Sequence, residues 1–499
     1  MPLAFVYELA GHWPPLAWLA RCEAGSSLIR LMHGRAVERR LDWFCEAVWD
    51  APFPEGNLDE TDLVFGSGGR CRDGGVIFVS SGSTVDRLQL AVRGDCTFVS
   101  NSLSCLCEAI EAQFDPRFQG YSELFETINQ GIERPLPDLA IAGGSIRFIY
   151  YSNVGWNGNH VRLIPKPVKR RDFTRFDNYA EFVRDALRRI AENFSSRERM
   201  RRYSWVGTIS RGYDSPACVS LARAAGLHRV ITHDESRPGE RDDGTAIASA
   251  LGLECIMVDR LAWKNQAPLE PLFLAADAQG KEIMIAGAAD ELTDKVLITG
   301  HGGGTAWSMR AEPCGEFLAR TVHAGLSMSE YRLHRGFIHL PLPLIGLRQL
   351  SDLAKLSRSA EMKPWDIGGA YSRPICRRLV EEAGVPREIF GVSKTGASIR
   401  FLRGEDAWSK HGKRAFFRWL KSRGHKHGVR APLLIQAKVC FVVLEIALLF
   451  SRRGSGFLRK SSQRVSRLLA AWIRKHKLND LAFIWAVETV RTSYRAPQD

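Results

Sequence analysis

The chain reads as an α/β protein: a parallel sheet with helices on both faces, preceded by a β-rich N-terminal region and followed by a basic helical one. Three observations predict this. β-Prone runs alternate with helical stretches from about residue 170 to 300, and such spacing implies crossover connections and parallel strands. Short apolar runs broken by turn residues occupy the first 168 residues. Beyond residue 402 cations greatly outnumber carboxylates.

In the N-terminal region, residues 74–80 (GGVIFVS), 88–92 (LQLAV) and 96–100 (CTFVS) are predicted strands of a β-rich sandwich, with Gly94-Asp95 as the tight turn joining the last two. Arg93-Gly94-Asp95 also spells a tripeptide found in adhesion ligands, but the turn accounts for it. Lys166-Pro167-Val168-Lys169-Arg170-Arg171 is a basic, Pro-marked linker. After it, Tyr179, Phe182, Val183, Ala186, Leu187 and Ile190 fall on one face of a helix over residues 178–193. These changes of texture divide the chain at 1–168, 169–402 and 403–499.

Within the middle part, residues 206–209 form the first predicted strand and 210–214 a turn. Ser215 is expected to N-cap the helix that follows, with Pro216 at its first position. Residues 228–233 are the second strand, and 242–251 a helix closed by Gly252. Residues 254–258 are the third strand, 269–286 a helical stretch, and 295–299 the fourth strand. That strand runs into Gly300-His301-Gly302-Gly303-Gly304. Ligands of such sheets sit at the carboxyl ends of the strands, where both loops lie.

The segment Ser210-Arg211-Gly212-Tyr213-Asp214-Ser215 turns directly from strand to helix. Such a loop aims backbone N–H groups and the positive end of a helix dipole at one point, which favours phosphate. Ser210 and Ser215 add hydroxyl donors, whereas Asp214 repels phosphate unless Mg²⁺ lies between them. Together they point to a Mg-nucleotide, although the same letters also fit an ordinary βα turn.

This segment resembles the S-G-G-x-D-S pyrophosphate loop of the N-type ATP pyrophosphatases (the PP-loop fold). Thr299-Gly300-His301-Gly302-Gly303-Gly304 resembles the T/S-G-x-G-x-D segment of the asparagine synthetase and β-lactam synthetase branch. Residues 385–395 (VPREIFGVSKT) resemble that branch's lysine loop. The resemblance spans roughly residues 170 to 400. It implies an enzyme that uses ATP and Mg²⁺ to adenylate a small-molecule or peptide carboxylate, which ammonia or an amine then attacks to form an amide. By the same resemblance, Ser210, Arg211, Gly212, Tyr213, Asp214, Ser215, Gly300, Gly302 and Gly303 bind ATP and its pyrophosphate, and Asp214 also holds the metal. His301 stands where relatives carry a glutamate or tyrosine, and an imidazole titrating near neutrality is expected to accept the amine proton. Lys394 is expected to stabilise charge as pyrophosphate leaves. Asp242 and Asp243 match an acidic position with a structural or nucleotide-side role. Each has a plainer reading too: loop packing for His301, a solvated lysine for Lys394, a favoured helix start for the aspartates. Gly304 replaces the family's second metal aspartate. Arg211 replaces the first loop glycine, at a cost of roughly a kcal/mol or more if that position requires φ > 0. Both departures also fit a catalytically lapsed protein that binds a nucleotide or a partner.

Residues 96–103 (CTFVSNSL) weakly resemble the strand and turn near the end of the glutaminase domain that precedes asparagine synthetase modules. That chemistry needs an N-terminal cysteine. Here Pro2 follows Met1 and the first cysteine is Cys22, so no glutaminase activity is expected.

No uncharged apolar run of 18 residues occurs and no leader pattern opens the chain, so cytoplasmic residence is the expectation. The 11 scattered cysteines fit reduced, buried thiols. Net charge is +14, and residues 401–499 hold 21 Lys and Arg against 6 Asp and Glu, an excess of +15. That region therefore fits an acidic partner or a membrane surface, or simply a solvated face; no RNA-binding signature accompanies it. Residues 437–450 are nearly apolar but contain Lys438 and Glu445, and are too short to span a bilayer.

Overall fold

Strands buried on both faces read as unbroken apolar runs, and the middle of the chain is built from them. The computed structural model describes every residue except 1, 116–117, 119, 126–136, 168, 238, 310–323, 370, 392–397, 400, 402–406, 425–477 and 497–499. Its parallel sheet contains Ser204–Thr208 (β1), Arg229–His233 (β2), Glu254–Val258 (β3), Lys295–Thr299 (β4) and Ile338–Pro341 (β5), in the order β3-β2-β1-β4-β5. Successive residues Trp205, Val206 and Gly207 on β1, and Val296, Leu297 and Ile298 on β4, are all buried, so both faces of the sheet's centre are covered. The four expected strands are present. The fifth, β5, was not expected from the sequence.

The associated helices are Phe176–Ser195 (α1), Asp214–Arg223 (α2), Thr245–Ala250 (α3), Glu270–Asp277 (α4) and Met328–Arg335 (α5). Pro374–Glu382 (α6), Lys410–Ser422 (α7) and Leu478–Arg491 (α8) follow. On α1 the predicted face is the packed one, with Tyr179, Val183, Ala186, Leu187 and Ile190 buried. The helix expected over 242–251 begins only at Thr245, because both aspartates are engaged ahead of it. The stretch expected over 269–286 is broken: Asp277 Oδ1 accepts N–H bonds from Gln279 and Gly280 (2.8 Å each), and Ala278 turns left-handed at φ 61°.

The N-terminal region forms two facing sheets of seven and six strands. Trp18 of the first contacts Phe44 and Phe78 of the second at ring-centroid distances of 5.0 and 6.1 Å, forming the sandwich core. The three expected strands lie at Gly75–Val79, Leu88–Arg93 and Cys96–Ser100. The last two pair antiparallel around the Gly94-Asp95 turn. The nine described cysteines are free thiols, six of them buried. Among the described residues no helix is long and apolar enough to cross a membrane.

One apolar core runs from the N-terminal strands through the parallel sheet to α8. At its centre Arg332 of α5 donates to Asp86 (2.8 Å) and Glu46 (2.6 Å) of the N-terminal region. All three are almost wholly enclosed. Burial pushes the Asp86 carboxyl up to about 6, against the opposing pull of Arg332. Removing the guanidinium leaves two carboxylates in a dry core, so Arg332→Ala is expected to lower the unfolding free energy by about 3–5 kcal/mol in denaturant titration.

Candidate functional site

Strand order reverses between β1 and β4, so the loops that leave them open side by side at the carboxyl edge of the sheet. Their approach is too close for side chains. A Cβ on Gly300 would lie 2.8 Å from Ser215 N and 2.9 Å from the Asp214 carbonyl carbon. One on Gly303 would lie 2.5 Å from Asp214 Cγ. Glycine at both positions lets the second loop close over Asp214. Gly302, at φ +87°, turns the chain into the short helix Gly303–Ala306.

The first loop is braced from within. Ser210 Oγ lies 3.0 Å from Ser215 Oγ and accepts the Gly212 N–H (3.3 Å). Arg211 donates its N–H to Asp242 (3.1 Å), and its carbonyl accepts from Gly391 N–H (2.8 Å). Two amides expected to face a phosphate are therefore already satisfied by protein groups. Asp242, buried, accepts that bond from the loop, while Asp243 accepts from Thr245 N (2.8 Å) at the start of α3. Ser215 is not the N-cap. Tyr213, already helical in backbone, precedes the first residue Asp214, placing Ser215 second and Pro216 third, where the missing N–H costs no helical bond.

Arg211 does not adopt positive φ, so the expected strain does not arise, and its half-exposed guanidinium has no protein partner among the described residues. The Tyr213 side chain is a brace rather than a loop-facing group. It is buried, its hydroxyl accepts from Arg377 (2.6 Å), and its ring packs on Tyr371 and Phe390. The Asp214 carboxylate sits beside Gly303, with the Cys376 thiol 3.9 Å away. Burial, and then the Asp214 charge, push the Cys376 thiol well above its ordinary range, so it stays protonated.

His301 follows Gly300 in the second loop. Its Nδ1 lies 3.0 Å from Thr299 Oγ1, which also lies 2.8 Å from His339 Nε2 on β5. Burial pushes the His301 pKa down to about 4 and holds His339 well below its usual value. The imidazole therefore does not titrate near neutrality as expected; it is neutral throughout the physiological range. Gly325 packs against both rings, and a Cβ there would approach each to 2.9 Å.

No model of a known protein family matches the sequence, and neither does any curated protein.

Among the described residues, no atom lies within 4 Å of a Cβ placed on Gly304, so they leave room there for a side chain. Among the described residues, no group of three or more His, Cys, Asp or Glu side chains is placed to hold a metal. Lys394 lies outside the described residues. Sequence reasoning missed Thr299, His339, Arg377 and Cys376 as neighbours of the site. Only Thr299, adjoining the glycine loop, carried a local signal.

The sign of the pH dependence follows from the burial of His301. Below about pH 6.5 the unfolded chain takes up a proton that the native imidazole refuses until about pH 4. This contribution to stability is thus complete above pH 6.5 and is lost progressively down to pH 4. Chemical denaturation across that window is expected to show a shallower decline in His301→Gln than in the parent.

Proposed function

We propose that the protein is a cytoplasmic ATP-dependent ligase that adenylates a small-molecule or peptide carboxylate and passes the acyl group to ammonia or an amine, without glutaminase activity. One observation carries the reading: two glycine-bearing loops close on Asp214 where the strand order reverses. Ser210, Ser215, the Arg211 guanidinium and the first-turn amides of α2 suit a pyrophosphate, since helix N-termini leave donors without intrahelical acceptors. Gly212 permits close approach from one side, and Gly300, Gly302 and Gly303 from the other.

The fit to Mg²⁺ rests on the single Asp214 carboxylate. Mg²⁺ commonly takes one or two carboxylates and completes its shell with phosphate oxygens and water. Bound there, it would neutralise charge on the departing pyrophosphate, a task Lys394 would share. A base with a pKa near 4 is a poor match for stripping an ammonium ion. His301 therefore serves better as a neutral hydrogen-bond partner that orients an amine already deprotonated before it binds.

A second reading, a lapsed binding module, draws support from the weak basicity of His301 and the internally satisfied amides of Arg211 and Gly212.

ATP–pyrophosphate exchange separates the two. With candidate carboxylates, labelled pyrophosphate is expected to enter ATP, and Asp214→Ala is expected to reduce the rate by at least about a hundredfold. Exchange that never occurs supports the lapsed module, and exchange indifferent to the substitution removes Asp214 from the mechanism. Because the described residues leave open space at position 304, Gly304→Asp is expected to fold normally and lower the Mg²⁺ concentration needed for half-maximal exchange several-fold.

A further inference from the structure

Helix α7 has two unlike faces. Its inner stripe, Gly412, Phe416 and Leu420, is buried at i, i+4 and i+8. Ser409 caps it by accepting from Gly412 N (2.9 Å), and the Ser409 N–H is held by Glu270 of α4 (2.8 Å). Phe416 packs on Trp408 and on Trp485 of α8, while Trp419 and Arg423 both donate to Glu488 of α8, at 2.8 and 2.6 Å. The helix is thereby fixed to the body of the protein with its other face turned outward.

That outward face presents Lys410, Lys413, Arg414, Arg418 and Lys421 around the half-buried ring of Phe417. Among the described residues, none of the five cations is in an ion pair or hydrogen bond. Side chains three and four apart on a helix are about 5–6 Å from one another, inside the Debye length of about 8 Å at physiological salt. These charges therefore repel each other. Elsewhere on this surface cations pair readily: Arg188 with Asp185 and Glu192, and Arg229 with Glu254 and Glu291. The stripe departs from that pattern, and it lies in the part of the chain that carries the excess of +15.

We propose that the outer face of α7 docks on an anionic lipid surface. Two features favour lipid over a peptide or a nucleic acid. The polar side chains that ring Phe417 are all cations, with exposed His411 and Ser422 only at their flank. An aromatic ring sits amid the cations, which suits the boundary between headgroups and acyl chains. The attachment is peripheral and independent of the ligase reading, since α7 contributes nothing to the loops at Asp214.

Vesicle co-sedimentation of the full chain tests this, using phosphatidylcholine alone and phosphatidylcholine mixed with phosphatidylglycerol. Binding is expected only with the anionic lipid, and is expected to weaken as salt rises. The triple variant Lys413→Gln, Arg414→Gln, Arg418→Gln is expected to bind about a hundredfold more weakly, from about 1 kcal/mol per cation near such a surface. Its melting temperature should match the parent's, because none of the three side chains has a partner to lose among the described residues. Phe417→Ser is expected to weaken binding further at high salt, where the apolar contribution remains. Equal binding to neutral vesicles, parental affinity in the triple variant, or tighter binding to single-stranded DNA than to the vesicles would each overturn the proposal.

Discussion

The absence of two Cβ atoms fixes the geometry around Asp214. With Gly300 and Gly303 against it, the carboxylate lies between the loops that follow two hydrogen-bonded parallel strands. The sheet brings those loops to one edge, and the glycines permit the last few ångströms of approach. The Tyr213 side chain, clamped by Arg377 and two aromatic rings, and the Arg211 amide, tied to Asp242, keep the first loop from relaxing away. Rigidity at this junction thus comes from side chains that point inward and from backbone whose donors are already engaged.

The same low-dielectric interior governs charge farther off. Arg332, a guanidinium charged at any physiological pH, is met in the core by two carboxylates from the N-terminal region, joining the sandwich to α5 by a contact that tolerates little misfit. Where no such partner exists, burial removes the charge, as at His301 and His339. In the triad pairing offsets the cost of burial, whereas the two imidazoles, with no charged partner, stay neutral.

Four of the five parallel strands were legible because each is a β-prone run bounded by turn residues or a helical stretch. β5 was not: Ile338-His339-Leu340-Pro341 is only four residues long, and its histidine and terminal proline resemble a loop. His339 was invisible as a site neighbour for the same reason, since its link to His301 exists only through β4–β5 pairing. The two adjacent aspartates looked equivalent in sequence, yet the fold gives Asp242 to the loop and Asp243 to a helix start. Cys376 comes within reach of Asp214 from α6, some 160 residues further along the chain, and no local pattern announces it. The glycine loops were readable because steric exclusion of side chains leaves its trace in the sequence itself.

The hydroxyl of Thr299 has a single proton to share between two neutral rings. If it gives that proton to His339 Nε2, it must receive one from His301 Nδ1, and the outer nitrogen of His301 is left with a bare lone pair. If it gives the proton to His301 instead, that outer nitrogen carries hydrogen and becomes a donor. The two rings therefore share one tautomer, both Nδ1-protonated in the first arrangement and both Nε2-protonated in the second, and whichever group meets the far nitrogen of His339 sets, from behind the sheet edge, the polarity that His301 offers to an incoming molecule.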